Sequence, residues 1–134
     1  MAGRTIIWFE DLALSDVARV GGKNASLGEL ASSLADAGVR VPGGFATTAQ
    51  AFRDFIAING LEAKIGDWIT RFQQGLVSLQ DTGHAIRKLI LAAPLPDELA
   101  DNLRDAYARL AERTMLHDPA VAVRSSATAE DLPG

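Results

Sequence analysis

The chain opens on an apolar run with the length and β-branched content of a buried strand, Thr5-Ile6-Ile7-Trp8-Phe9, bounded by Glu10 and Asp11. Beyond Arg19-Val20-Gly21-Gly22-Lys23 the apolar period changes. Leu27, Leu30, Ala31 and Leu34 recur at helical spacing, which predicts a helix over roughly Asn24 to Ala37 with Gly38 as its stop. Val39 and Val41 flank Arg40 in strand-like alternation before Pro42-Gly43-Gly44 turns the chain. Phe45-Ala46-Thr47 reads as a further short strand. Thr48 then caps a helix whose Phe52, Phe55 and Ile56 are expected to face inward and which Asn59-Gly60 ends.

The middle of the chain carries three amphipathic stripes. Leu61, Ile65, Trp68, Ile69 and Phe72 form the first, and Ile86, Leu89, Ile90 and Ala93 the second, cut off by Pro94. Leu99, Leu103, Ala106, Tyr107 and Leu110 form the third, with Pro96 just ahead of the helix, where its missing N–H costs nothing. Gln73-Gln74-Gly75 and His117-Asp118-Pro119 are the expected hinges. Ala120 to Val123 then reads as a last strand delivering Arg124, Ser125 and Ser126 into a polar loop. The pattern predicts an α/β (α+β) fold with a short sheet and a helical insertion over roughly 60–116, within one domain spanning 1–134. No helix or strand follows the final loop in the sequence, so the chain is expected to be the front part of a larger protein.

Composition narrows the function. An apolar share of 48% and a mean hydropathy of +0.09 fit a folded globular chain of 134 residues. The net charge of −4, with interspersed signs, provides no basic surface of the kind that holds nucleic acid. Any anion must therefore be gripped locally. Cysteine is absent, which excludes disulfides and thiolate metal sites. The first apolar run is too short for a signal peptide or a membrane span, so a cytoplasmic setting is expected.

Three segments can carry chemistry. Gly21-Gly22-Lys23-Asn24-Ala25-Ser26 stands at a helix start, where free N–H groups and the helix dipole favour an anion. Glycine lets a phosphate approach the backbone, and Lys23 adds a mobile charge. The segment lacks the P-loop spacing, and taken alone Gly-Gly-Lys is more often a turn with a solvated lysine. Arg124-Ser125-Ser126 offers a planar fork suited to phosphate, or an arginine paired with a carboxylate above a serine-capped turn. Glu130 and Asp131 are either solvated or bind Mg²⁺. In Gly43-Gly44-Phe45-Ala46-Thr47-Thr48, helix capping accounts for Thr48 without a ligand. His84 and His117 have no second histidine or cysteine at ligand spacing.

Taken together, Val20-Gly21-Gly22-Lys23-Asn24-Ala25-Ser26-Leu27-Gly28-Glu29, Val41-Pro42-Gly43-Gly44-Phe45-Ala46-Thr47-Thr48 and Ala122-Val123-Arg124-Ser125-Ser126-Ala127-Thr128-Ala129-Glu130-Asp131 resemble the N-terminal nucleotide-binding domain of the phosphoenolpyruvate synthase (pyruvate, water dikinase) family. Pyruvate, phosphate dikinase is similar at the first and last segments, and rifampicin phosphotransferase at the last. Asn24-Ala25-Ser26 and Gly44-Phe45-Ala46-Thr47-Thr48 lean toward the synthase.

The resemblance implies the first lobe of an ATP-grasp-like domain that binds ATP with Mg²⁺, the metal ligands lying outside this chain. It implies contact of Lys23 and Arg124 with the ATP phosphates, Gly21 and Gly22 permitting close approach, and Ser125 and Ser126 lining the phosphate end. The phosphohistidine domain and the pyruvate-binding domain of such enzymes have no counterpart here, so the chain alone is expected to be inactive. A non-catalytic helical interaction module is the competing expectation.

Overall fold

The computed structural model describes residues 5–38 and 43–127. The order is β1 (Ile6–Trp8), two 3-10 turns (Phe9–Asp11 and Leu14–Asp16), α1 (Val17–Val20), α2 (Gly22–Asp36), β2 (Phe45–Thr47), α3 (Ala49–Ile58), α4 (Glu62–Gln73), α5 (Leu79–Ala92) and α6 (Asp97–Thr114). It is a mixed, largely helical α+β arrangement with one two-stranded antiparallel sheet. Expected strand Val39–Val41 lies outside the described residues.

The chain divides into two compact units, one built from Met1–Ala51 and Glu98–Gly134, the other from Phe52–Asp97. In the first, β1 and β2 pair with Ile6 opposite Thr47, Ile7 opposite Ala46 and Trp8 opposite Phe45. Alternation sends Ile7 and Ala46 into a core with Leu12, Val20 and Ala25, packed further by Phe9 and Val17. On the other face Trp8 and Phe45 meet edge to face at 5.3 Å between ring centroids. The Arg113 guanidinium lies 3.8 Å from the centre of the Trp8 ring and is ion-paired with Glu10. Asn102 Nδ2 donates to Thr5 Oγ1 at 2.7 Å, so α6 is fastened to the strand region at two points.

Helix α2 does not bury the face its leucines suggested. Leu30 is 47% exposed, and Leu27, Ala31 and Leu34 are only half-buried. The buried positions are Gly22, Ala25 and Gly28. A Cβ on Gly28 would stand 2.3 Å from Leu12 Cβ and 2.9 Å from Phe9 O. Small residues let the helix backbone close onto the Phe9–Leu12 turn, a contact that a search for large apolar side chains passes over.

In the second unit the core is Phe55, Ile56 and Leu61, with Ile65, Leu89, Ile90 and Ala93 against it. Phe52, expected inside, is 56% exposed. On the helical wheel it falls between Phe55 and Ile56, so angle does not separate them. Phe52 instead lies against the Phe55 ring, with centroids 6.5 Å apart. Ser78 caps α5 by accepting the Asp81 N–H at 3.0 Å.

The expected strand over Ala120 to Val123 is absent. Residues 120–127 form no strand, and Val121 and Val123 are exposed. A strand is defined by a ladder, and no described segment pairs with this one.

Candidate functional site

The break between α1 and α2 creates the site. Gly21 N–H closes α1 onto Val17 O at 2.7 Å, and Gly21 O accepts the Ala25 N–H at 3.1 Å to open α2. Between them Gly21 holds φ 86° and ψ 166°, a conformation closed to side-chain-bearing residues. Asn24 braces the break, its Nδ2 donating to Val20 O at 3.0 Å.

Against this break lies the end of the described chain. Gly22 N–H donates to Ala127 O at 3.1 Å, and Asn24 N–H donates, over a longer 3.4 Å, to Ser126 Oγ. A Cβ on Gly21 would stand 2.2 Å from Ser126 Oγ and 2.8 Å from Ala127 N. Two segments 102 positions apart thus meet, and the hydroxyl of one caps the helix of the other.

This differs from the expectation of free N–H groups at the helix start. Two of the first-turn donors are engaged by Ser126 and Ala127, since buried amides take the partners that chain geometry brings them. What approaches Gly21 closely is the chain itself. Gly21 and Gly22 are buried, Ser126 is half-buried, and Lys23, Ser125 and Arg124 are exposed. Arg124 precedes Ser126 by two residues, a span of at most roughly 7 Å between Cα atoms, so the clamp limits how far its backbone strays from α2.

The route to this contact is fixed upstream. Met115 and Asp118 both adopt φ 58°, turning the chain back after α6. Tyr107 anchors that turn, its hydroxyl standing 2.9 Å from Asp118 Oδ1 and 2.6 Å from Pro119 O. Desolvation first, then the hydrogen bond to Asp118 and its negative charge, hold the Tyr107 phenol above its ordinary pKa.

Of the other candidates, Thr48 is a buried cap accepting the Ala51 N–H at 3.1 Å, as its sequence position implied. Thr47, His84 and His117 are exposed. Glu130 and Asp131 lie outside the described residues. Among the described residues no group of three or more His, Cys, Asp or Glu stands close enough together to hold a metal ion. Sequence reasoning gave Asn24 no role of its own; an asparagine in the first turn after a Gly-Gly break was the available signal.

The family described as "Pyruvate phosphate dikinase, AMP/ATP-binding domain" matches residues 17–134, a span that takes in both halves of the clamp. The chain belongs to that family. Within it the chain is similar to phosphoenolpyruvate synthases. It is 49% identical over 134 residues to that of Neisseria meningitidis serogroup B, across 99% of this chain and 17% of the relative. It is 50% identical over 129 residues to that of Pseudomonas aeruginosa, and 43% identical over 129 residues to that of Escherichia coli, in each case across 96% of this chain and 16% of the relative. The chain therefore spans about one sixth of the length of these relatives. No helix among the described residues is long and apolar enough to cross a membrane.

Proposed function

We propose that this chain supplies the first part of the ATP-grasp-like nucleotide-binding domain of a phosphoenolpyruvate synthase, with MgATP as its ligand. Lys23 and Arg124 contact the ATP phosphates and offset the charge that shifts during transfer, a mainly electrostatic form of catalysis. Gly21, Gly22, Ser125 and Ser126 shape the phosphate end of the site. The helical stretch over roughly 60–116 is an insertion in this domain. The phosphoryl group passes to a histidine on a separate domain and from there to pyruvate, giving phosphoenolpyruvate, AMP and phosphate. Those domains belong to the remaining length of the relatives. A cytoplasmic setting goes with that chemistry. Mg²⁺ accompanies ATP, and its ligands lie on other residues than those described.

The observation that carries this reading is the meeting of Gly21-Gly22 with Ser126-Ala127 across the chain, in a family whose described ligand is a nucleotide. The test is Arg124→Ala and Lys23→Ala in a protein of the relatives' full length. Each is expected to lower kcat by roughly 10²–10³, with the melting temperature unchanged. A fully active Arg124→Ala protein removes the assigned role. The chain by itself is expected to show no synthesis of phosphoenolpyruvate and only weak MgATP binding by calorimetry.

A further inference from the structure

We infer that Gly21 and Ser126 are positioning residues: together they form a clamp that holds the Lys23 and Arg124 backbones in register, and Ser126 acts through the α2 start rather than on the nucleotide. The inference rests on the nucleotide reading above and changes the role of two residues within it.

Three independent features point to a clamp. Gly21 combines a conformation closed to side chains with a site where a Cβ would fall 2.2 Å from Ser126 Oγ. The Ser126 hydroxyl is committed to the Asn24 N–H, and the Ala127 carbonyl to the Gly22 N–H, so bonds from the far segment flank Lys23 on both sides along the helix. Asn24 is itself tied back across the break to Val20, a second tie on the α2 start. The two cations are exposed; both chain neighbours of Lys23 are held, and for Arg124 the nearest held residue is Ser126, two positions on. Preorganisation of this kind fixes charged groups before a ligand arrives and reduces the ordering they must undergo on binding.

The test uses the full chain without nucleotide first. Backbone amide exchange at Asn24 is expected to be slow in the unmodified chain and about tenfold faster in Ser126→Ala, with Ser126→Thr restoring protection through its retained hydroxyl. MgATP affinity, measured by calorimetry in a protein of the relatives' full length, is expected to fall about tenfold in both Ser126→Ala and Gly21→Ala, with adenosine binding unchanged. The double variant is expected to be no weaker than the worse single one, because both remove one contact. A Cβ on Gly21 would meet Ser126 and would also bar a phosphate from the backbone, so faster Asn24 exchange in both variants, together with the shared loss of affinity, identifies the clamp. Loss of ATP affinity in Ser126→Ala with the Asn24 amide still protected overturns the inference, because Ser126 then touches the nucleotide itself. Exchange as expected, but unchanged ATP binding in Lys23→Ala and Arg124→Ala, shows instead that the nucleotide reading has failed. The positioning role then falls with it, and only a helix cap remains.

Discussion

Glycine does opposite work in the two units. In the first, the space a side chain would need at Gly21 and Gly28 is already filled, by Ser126 and Ala127 in one case and by Leu12 and Phe9 in the other. In the second, Gly66 stands in the middle of α4 with nothing within 4 Å of where its Cβ would be. In the first unit, beside its core of Ile7, Leu12 and Val20, backbones are pressed closely together at Gly21 and Gly28. The second is assembled from large side chains, Phe55, Ile56 and Leu61 against α4 and α5 residues. The candidate site lies wholly in the unit that holds these close contacts.

The contrast can be broken by substitution. Gly28→Ala is expected to have the largest effect, a loss of about 1–3 kcal/mol from overpacking against Leu12 and the Phe9 carbonyl, read as a lower urea midpoint. Thr48→Ala comes next: removing a buried cap on α3 is expected to cost about 1 kcal/mol by the same measurement. Gly66→Ala is expected to reverse the sign, stabilising α4 by roughly 0.5–1 kcal/mol, since open space and a helix interior favour alanine. If Gly28→Ala and Gly66→Ala shift the midpoint in the same direction, the contrast is wrong.

The smallest effect concerns the turn that leads to the clamp. Tyr107→Phe is expected to lower the melting temperature slightly and to speed amide exchange beyond Asp118. The phenol pKa is raised on folding, so the folded state holds that proton more tightly than the unfolded chain does. The contribution is therefore fully present below the ordinary tyrosine value of about 10 and is lost as pH rises through the raised one. The gap between unmodified and Tyr107→Phe melting temperatures should be constant through neutral pH and close only in strong alkali.

Local features were readable in the sequence where one element determines them. Thr48 as a cap, Phe45-Ala46-Thr47 as a strand, Gly38 and Gly60 beyond helix ends and Pro94 as a stop all follow from short-range sterics and hydrogen bonding. Long-range contact was not readable in the same way. The buried face of α2 was missed because Gly22, Ala25 and Gly28 carry almost no hydrophobic signal, while Leu30 carries a strong one and stays exposed. Val121 and Val123 have the composition of a strand but lack a ladder partner among the described residues. Gly21 and Ser126 were both singled out, though for a ligand. That each is shaped by the other required knowing that they meet.

The bond from Asn24 to Ser126 has a further consequence, in time rather than in energy. It joins residues 102 apart, with the whole of Phe52–Asp97 between them. Closing a longer loop adds little to its thermodynamic cost, about 0.6 kcal/mol for each doubling, but distant pairings slow the search for the native state. On a ribosome, Gly21 would emerge roughly a hundred residues before its partner, at about 5–20 residues per second. The helical segment can therefore complete its own folding while the α2 start still waits, so late maturation of the site is built into the order of the sequence.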